Sequence, residues 1–262
     1  MLFESEAHKE GQVAISVRKL NLIYKTTVQK KPTFRQALTR TGRKIRTVNA
    51  LTDLNLEIPY GSVLGVIGAN GAGKSSLMRV VAGIVPPTAG RVEVYGQVST
   101  LLSLGVGFNS RLTGRENVIL GGLAAGLTKS EIEDQFSAIA DFADIGEAID
   151  SPMKTYSAGM YSRLAFAVAV VVEPDVLIVD EALSTGDAKF KKKSLEKIKT
   201  LRGENRAIIL VSHALATIKE ICNDVIWLDK GKIVMRGNPD EVVAAYKESL
   251  QVAKSSSADE DL

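Results

Sequence analysis

The sequence predicts an α/β fold built on a buried, mainly parallel sheet. Three short apolar runs predict its central strands: Ser62–Ile67, Val176–Val179 and Ala207–Ser212. These runs are continuous rather than alternating, as expected for strands that are covered on both faces. Polar or glycine residues follow each of them, namely Gly68, the pair Asp180 and Glu181, and His213. Because ligands bind at the carboxyl ends of the strands in such sheets, we expect these residues to share one site.

The glycine-rich stretch Gly68–Ser76 fits the pattern of a phosphate-binding loop, with a predicted strand before it and an amphipathic helix, Leu77–Val85, after it. Its glycines let backbone N–H groups approach phosphate oxygens at the start of that helix. We therefore expect binding of a nucleoside triphosphate, with Lys74 on the β- and γ-phosphates and the Ser75 hydroxyl on Mg²⁺. The predicted nucleotide-binding residues of this loop are Gly68, Asn70, Gly71, Ala72, Gly73, Lys74, Ser75 and Ser76.

Two strands that are expected to be antiparallel precede this loop. The first combines Val13–Val17 with Leu20–Tyr24, and the second is the alternating run Ala50–Ile58. Tyr24 ends its strand where a ring could stack on a base, an interaction worth about 1–3 kcal/mol, although packing on the core is an alternative. Beyond the loop, Gly90–Gly96 predicts a strand and Val98–Leu104 a further apolar segment.

Residues 25–47, between these two strands, carry eight basic and no acidic side chains. Phe34–Leu38 within this basic insertion could form a short amphipathic helix at an anionic membrane surface. A solvated basic loop explains the same charges. Nucleic-acid binding is a third interpretation, and we do not expect it because no aromatic side chains alternate with the basic ones.

The middle of the chain predicts a compact helical subdomain. One helix starts near Thr113, and we expect it to be broken at Gly121-Gly122 and Gly126. Thr128 and Glu131 form a capping box for a second helix, which carries Ile132, Phe136, Ile139, Ala140 and Ala143 at helical spacing. Ser157 should cap a third, strongly apolar helix that runs to Val172.

The last part of the chain predicts a lysine-rich solvated helix over Lys189–Lys199, and a hairpin that turns at Asp229–Gly231. Asn238 should cap a final helix starting at Pro239, followed by a polar tail at residues 248–262.

Composition excludes several classes of protein. The longest apolar run, Leu164–Val172, is about half of the ~20 residues that a membrane span needs. Met1–Glu6 lacks the features of a signal peptide, so we expect a cytoplasmic protein. Cys222 cannot form an internal disulfide, since it is the one cysteine in 262 residues, and is expected to pack as a small core residue. The net charge of +3 is too small to indicate a partner.

Together these motifs resemble the ABC ATPase family over nearly the whole chain, from Val13 to about Tyr246. Gly68–Ser76 matches the Walker A loop, Val176–Glu181 the Walker B strand, and Ser184–Asp187 the D-loop. His213 matches the switch histidine and Tyr24 the A-loop aromatic residue. The resemblance implies a P-loop (RecA-like) core with an antiparallel β subdomain and an inserted helical subdomain.

Two motifs depart from the family pattern. The signature loop, usually Leu-Ser-Gly-Gly-Gln, corresponds to Tyr156-Ser157-Ala158-Gly159-Met160, which keeps the serine and one glycine. The glutamine of the Q-loop corresponds to Asn109, which is one carbon shorter. The resemblance nevertheless implies a place for Asn109 in the metal site.

The resemblance also implies the chemistry of the site. Asp180 would help to hold Mg²⁺ beside Ser75, Glu181 would activate the attacking water, and His213 would contact the γ-phosphate. Glu181, His213 and Lys74 are therefore the expected catalytic residues, with ATP and Mg²⁺ as ligands. In this family two chains enclose two ATP molecules, so a homodimer is expected in which Ser157, Ala158, Gly159 and Met160 complete the partner's site.

Within the family, the basic insertion, Leu104–Phe108, Leu112–Asn117 and Tyr156–Met160 resemble exporters of lipid-linked polysaccharide such as O-antigen, capsule, teichoic acid or galactan. This implies a separate integral-membrane permease, a lipid-linked glycan as substrate, and a location at the cytoplasmic face of the cell membrane. Another type of ABC transporter, and a soluble ABC ATPase acting on ribosomes or DNA, are the alternatives.

We expect one ABC ATPase domain at residues 12–247. Its catalytic core would comprise 12–107 and 173–247, its helical subdomain 108–172, and its basic insertion 25–47.

Overall fold

The computed structural model describes residues 11–28, 44–101, 108–180 and 187–259. The strands of this part are β1 (Val13–Val28), β2 (Lys44–Pro59), β3 (Val63–Ile67), β4 (Ala89–Val94), β5 (Val98–Thr100), β6 (Val176–Asp180), β7 (Ala207–Val211), β8 (Asp224–Asp229) and β9 (Lys232–Gly237). Its helices are α1 (Lys74–Val81), α2 (Gly114–Ala124), α3 (Lys129–Ala143), α4 (Ala158–Val171), α5 (Ala188–Gly203), α6 (Leu215–Ile221) and α7 (Pro239–Asp259). Two 3₁₀ turns lie at Gly146–Asp150 and Met153–Thr155.

The described strands form two sheets. An antiparallel sheet has the order β2-β1-β4, and a larger sheet has the order β5-β6-β7-β3-β8-β9. All pairs of the larger sheet are parallel except the hairpin of β8 and β9. This arrangement confirms the predicted α/β class with an additional antiparallel unit.

Both faces of the larger sheet are buried, which explains its continuous apolar strands. Leu64, Val66 and Ile178 belong to the core between this sheet, the antiparallel sheet and α1. Val63 and Leu177, which point to the other face, belong to the core beneath α4, α5, α6 and α7. The period of two along each strand therefore distributes its side chains between two separate apolar layers.

The β1–β2 pair is a long antiparallel ribbon whose pairing continues to Val28 and Lys44. The two ends of the basic insertion, 25–28 and 44–47, are therefore strand rather than loop. The proposed helix at Phe34–Leu38 lies outside the described residues.

The helical region, 108–171, has a core of its own. Val118 of α2, Ile132 and Ile139 of α3, and Leu164 and Val168 of α4 are buried in it. Both α2 and α3 begin with a complete capping box, in which Thr113 pairs with Glu116 and Thr128 with Glu131. The second box confirms the sequence prediction, while the first was missed.

The predicted break of α2 at Gly121-Gly122 is wrong, because both glycines lie inside the helix. Their lack of a side chain serves packing instead. A Cβ atom on Gly121 would lie 2.9 Å from Val168 Cγ1, and one on Gly122 would lie 2.5 Å from Ile132 Cγ1. The glycine pair thus lets α2 approach α3 and α4 closely.

Three other element boundaries differ from prediction. The first helix starts at Lys74 and ends at Val81, so it includes the lysine of the glycine-rich loop. The last helix continues through the predicted polar tail to Asp259. Strand β5 ends at Thr100, and residues 102–107 lie outside the described part.

Cys222 is buried at the end of α6, as predicted. Burial raises the pKa of its thiol to about 12, so it is an unreactive core side chain. Within the part of the chain that the structure describes, we find no helix with the length and apolar character needed to cross a bilayer.

Replacing Gly122 by alanine should destabilise the protein, because Ile132 is fully buried and cannot move away from the added methyl group. We expect the free energy of unfolding to fall by about 1–3 kcal/mol, the usual cost of overpacking a core. Urea denaturation measures this change. Gly203→Ala, at the open end of α5, is the control and should be neutral or slightly stabilising. Equal stability of the two variants would contradict the packing role of Gly122.

Candidate nucleotide-binding site

The three central strands predicted to carry the site are neighbours in the sheet. Val66 of β3 pairs with Val211 of β7, and Val211 pairs with Asp180 of β6. Gly68 follows two residues after Val66, and His213 two residues after Val211. The register therefore brings the glycine-rich loop, His213 and Asp180 to one edge of the sheet.

The glycine-rich loop leads directly into α1. Gly73 caps this helix with a φ of 110°, a conformation that glycine adopts without strain. The Lys74 side chain is buried and turns back over the loop, where its Nζ donates hydrogen bonds to the carbonyls of Gly68 (2.7 Å) and Ala69 (3.0 Å). The cationic group and the first N–H groups of the helix thus face the same concave loop, which suits a phosphate.

The loop also packs against other backbone segments with no side chains between them. A Cβ atom on Gly68 would lie 2.2 Å from the Leu228 carbonyl oxygen, and one on Gly73 would lie 2.7 Å from the Ala50 carbonyl oxygen. A Cβ atom on Gly231, in the β8–β9 turn, would lie 2.6 Å from the same Ala50 oxygen. These contacts make the absence of side chains a structural requirement of the loop.

Gly231 joins the phosphate loop to the antiparallel sheet through hydrogen bonds. Its N–H donates to the Ala72 carbonyl (2.9 Å), and its carbonyl accepts the Thr52 N–H (2.8 Å). Sequence reasoning identified Gly231 only as a turn residue. A link between segments so distant in sequence produces no local pattern that could have revealed this second role.

Tyr24 lies beside the loop helix, as a base-stacking residue requires. The Ser76 hydroxyl donates a hydrogen bond to the Tyr24 hydroxyl at 3.5 Å. The ring is half-buried and also packs against the core between the two sheets. The packing of Tyr24 on the core is therefore observed, while its stacking on a base stays a prediction.

The acidic and histidine residues occupy the expected strand ends. Asp180 is the last residue of β6 and is half-buried, and His213 follows β7 in an exposed position. Ser212, between β7 and His213, accepts the Ala214 N–H through its Oγ atom (3.1 Å), which fixes the turn after the strand. Glu181 lies outside the described residues, so its predicted role stays a prediction.

The residues compared with a signature loop lie in the helical region rather than at the sheet edge. Ser157 caps α4, and its Oγ atom accepts the Met160 N–H at 3.2 Å. Ser157 and Ala158 are exposed, while Gly159 and Met160 are partly exposed. Tyr156, just before them, is anchored because its hydroxyl donates to the Ala148 carbonyl (2.6 Å). The four residues therefore start a rigid helix on an accessible surface.

Asn109 lies at the entrance of the helical region and is exposed. Its side-chain oxygen accepts the Arg111 N–H at 3.0 Å, within its own turn. Its side-chain oxygen is thus engaged within the turn, and its predicted place in a metal site stays a prediction.

The backbone of this turn is held by Asn117, which is fully buried on α2. Its Oδ1 accepts the Asn109 N–H (2.7 Å), and its Nδ2 donates to the carbonyls of Asn109 (3.0 Å), Leu112 (3.3 Å) and Thr113 (2.8 Å). The amide of one side chain thus adds four hydrogen bonds to a turn, Asn109–Thr113, whose carbonyls also accept backbone N–H groups. Sequence reasoning used Asn117 only as part of a motif and missed this function.

The geometry offers oxygen donors to a metal but no preformed metal cage. The exposed Ser75 hydroxyl and the Asp180 carboxylate are hard oxygen ligands of the kind that Mg²⁺ accepts together with phosphate oxygens. Among the described residues, no cluster of three or more histidine, cysteine or acidic side chains could hold a metal by itself. The residues present thus fit Mg²⁺ that arrives with a phosphate ligand.

The chain is similar to known proteins in both sequence and fold. The family model described as ABC transporter matches residues 51–184. The chain is 43% identical to the O-antigen export system ATP-binding protein RfbB of Myxococcus xanthus over 219 residues, covering 84% of this chain and 50% of that protein. It is 41% identical to the ABC transporter protein AbcA of Aeromonas salmonicida over 208 residues, with 79% and 68% of the two chains covered.

A third relative is the teichoic acids export ATP-binding protein TagH of Shouchella clausii, which is 43% identical over 211 residues, with coverages of 80% and 58%. The chain thus spans between half and about two thirds of the length of these relatives.

Solved structures share the fold. An ATP-binding subunit of an ABC transporter superposes with a TM-score of 0.72 at 22% identity, covering 89% of this chain and 93% of the other. A dimeric ATP-binding cassette in a post-hydrolysis state, bound to ADP and Pi, superposes with a TM-score of 0.69 at 18% identity, with coverages of 86% and 98%.

Removing the Asn117 amide should release the Asn109–Thr113 turn. Asn117→Ala removes the acceptor of the Asn109 N–H and one of the two donors to each of the Asn109, Leu112 and Thr113 carbonyls, so we expect a loss of about 1–3 kcal/mol in the free energy of unfolding. Urea denaturation and amide hydrogen exchange measure it, and exchange should accelerate most at residues 109–113. Asn49→Ala, at an exposed position of β2, is the control. Unchanged exchange in this turn would contradict the role of Asn117.

Proposed function

Because the chain belongs to the ABC transporter family, we propose that it is the ATP-binding subunit of an exporter and that it hydrolyses ATP. The observation that carries this proposal is the register of β6, β7 and β3, which places Asp180 and His213 at the same sheet edge as the phosphate loop. The phosphate loop by itself would explain only the binding of a nucleotide. The acidic and histidine residues beside it are what hydrolysis requires.

The reaction follows from the positions of these residues. Phosphoryl transfer needs little covalent chemistry from the protein, which must orient a water molecule and neutralise developing charge. The loop N–H groups and Lys74 would hold the phosphates, and the Tyr24 ring would support the base. Ser75 and Asp180 would hold Mg²⁺, which when bound neutralises phosphate charge.

Glu181 is proposed as the general base that accepts a proton from the attacking water. His213 is exposed at the end of β7, and we assign it the role of a hydrogen-bond donor to the γ-phosphate. We assign Asn109 to the metal site only through its position in the chain, since its side-chain oxygen already accepts the Arg111 N–H.

The signature residues are proposed to act on the site of a second copy of the chain. Ser157 is exposed at the N-terminus of α4, a helix of 14 residues whose positive end suits a γ-phosphate. The added methyl group of Ala158 and the loss of a polar side chain at Met160 reduce the polar contacts available to that phosphate. We therefore propose a homodimer with two ATP molecules at its interface.

The cargo that we propose is a lipid-linked polysaccharide, moved by a separate membrane subunit at the cytoplasmic face of the cell membrane. Two of the compared relatives are named as export proteins for O-antigen and teichoic acids, which supports this choice. The basic insertion, whose two described ends continue the β1–β2 ribbon, carries the positive charge that an anionic surface or partner would bind.

The docking site proposed for the membrane subunit lies next to Asn109. A cavity of about 150 Å³ opens between β5, α2 and α4, where small side chains and Phe108 line it. Leu120 and Leu123 of α2 are exposed nearby, with 37% and 48% of their surface accessible. Phe108, which lines this cavity, is the neighbour of Asn109 in the chain.

We also propose that the chain forms one ABC ATPase domain at residues 12–247. Its catalytic core comprises residues 12–107 and 173–247, and its helical subdomain comprises residues 108–172.

Glu181→Gln should bind ATP and accumulate as a dimer, because the proton acceptor is lost while the phosphate-binding groups remain. Light scattering with ATP and Mg²⁺ measures the mass of the particle. Lys74→Ala/Glu181→Gln, which lacks the phosphate-binding cation, is the control and should stay monomeric. A monomer for Glu181→Gln at saturating ATP would contradict the proposed dimer.

The export function is tested by isolating the same trapped protein from membranes of its own source. Tagged Glu181→Gln is purified in mild detergent with ATP and Mg²⁺, and mass spectrometry identifies what comes with it. We expect one multi-span subunit together with a polyprenyl-linked glycan, both lost in the Lys74→Ala/Glu181→Gln control. Recovery of ribosomes or DNA would overturn the export proposal. Recovery of a permease with a different cargo would contradict the proposed polysaccharide substrate.

A further inference from the structure

Arg163, on α4, makes three contacts with two other segments, the end of α3 and the start of α5. One of its terminal nitrogens donates to the Asp144 carbonyl at the end of α3 (3.1 Å), and the other pairs with the Asp187 carboxylate. Its guanidinium also lies 5.3 Å from the centre of the Phe190 ring on α5. The side chain is only 18% exposed, so this is not an ordinary surface arginine.

Asp187 performs two functions with its two carboxylate oxygens. One oxygen accepts the Phe190 N–H (2.8 Å) and caps α5, while the other pairs with Arg163. Asp187 is also the last residue of Ser184–Asp187, the stretch that matches a D-loop, and the residues before it lie outside the described part. Arg163 therefore holds the last residue of this stretch at the start of α5.

Further contacts join the end of α3 to α5 beside Arg163. Lys189 pairs with the Asp144 carboxylate (3.2 Å), and Lys193 donates to the carbonyls of Asp141 (2.9 Å) and Phe142 (3.2 Å). Cations from two other helices thus meet the negative end of α3. These lysine contacts join the helical region to α5, but none of them reaches α4.

We propose that Arg163 is a positioning residue that fixes the signature helix relative to the D-loop. Arg163 lies six residues after Ser157 on the same rigid helix, about 9 Å along its axis. Through Asp187, the position of Ser157 is therefore tied to the end of the D-loop in the same chain. This inference rests on the proposed function, in which Ser157 contacts the γ-phosphate held by the partner chain.

The contacts of Arg163 depend on the planar guanidinium group, which carries donors on two terminal nitrogens. Two different terminal nitrogens reach two acceptors on different segments, a carbonyl and a carboxylate, while the flat face lies over Phe190. A lysine would keep the charge but could not hold both acceptors in one fixed geometry. Arg163→Lys should therefore be only partly active.

The test compares Arg163→Gln with Arg115→Gln in steady-state ATP hydrolysis. Arg115 is a matched control, because it forms an ion pair with Asp150 (2.7 Å) and lies over the Phe136 ring, but joins segments of the helical region only. We expect Arg163→Gln to lower kcat by roughly tenfold to a hundredfold, since a misplacement of about 1 Å can cost a hundredfold. KM for ATP should change little, because Lys74 and its loop are untouched, and Arg115→Gln should match the wild type.

Asp187→Asn completes a double-mutant cycle, because asparagine still caps α5 but no longer pairs as an anion. If the pair acts as a unit, the double variant should lose no more kcat than either single variant. Multiplying losses, or a kcat for Arg163→Gln equal to that of Arg115→Gln, would overturn the inference. Should Arg163→Gln not fold, Arg163→Lys and Asp187→Asn carry the same comparison.

Failure of the proposed function is a separate result. If neither the wild type nor Arg115→Gln hydrolyses ATP, the proposed ATPase activity itself is refuted. If both hydrolyse ATP normally and Arg163→Gln does so as well, only the role of Arg163 is refuted.

Discussion

The close approach of bare backbone around the phosphate loop is the constraint on which the rest of the structure depends. Gly68, Gly73 and Gly231 each stand where a Cβ atom would lie between 2.2 and 2.7 Å from a carbonyl oxygen. Since those oxygens belong to the backbone of Ala50 and Leu228, they cannot move aside as a side chain could. The loop, the antiparallel sheet and the β8–β9 turn are therefore brought together at one point.

This junction explains why the two sheets act as one scaffold. The hydrogen bonds of Gly231 to Ala72 and Thr52 connect the loop to both sheets, and the apolar layer that includes Leu64 and Ile226 lies between them. Removing that layer from water supplies most of the stability, whereas the glycine contacts determine where the loop lies. Lys74 then completes the loop by returning to the carbonyls of Gly68 and Ala69.

The helical region differs from the sheets in how its position is determined. Polar side chains that are largely removed from solvent hold it, in addition to apolar packing. Asn117 satisfies four backbone groups of the turn that carries Asn109, and Arg163 joins α3, α4 and the start of α5. Polar contacts of this kind are directional, so they define one arrangement where apolar surfaces alone would allow several. Both residues lie beside segments for which we propose a role in the ATPase cycle.

The sequence by itself determined the α/β class, the phosphate loop, the strand ends with Asp180 and His213, and the caps at Thr128 and Ser157. These features depend on neighbours in the chain, since periodicity, glycine spacing and capping are local. Only the tertiary structure decided that Gly121 and Gly122 pack inside a helix, and that Gly231, Asn117 and Arg163 each join segments that are separate in the sequence. Their partners lie on other elements, so the physical reason for each residue exists only once the chain has folded.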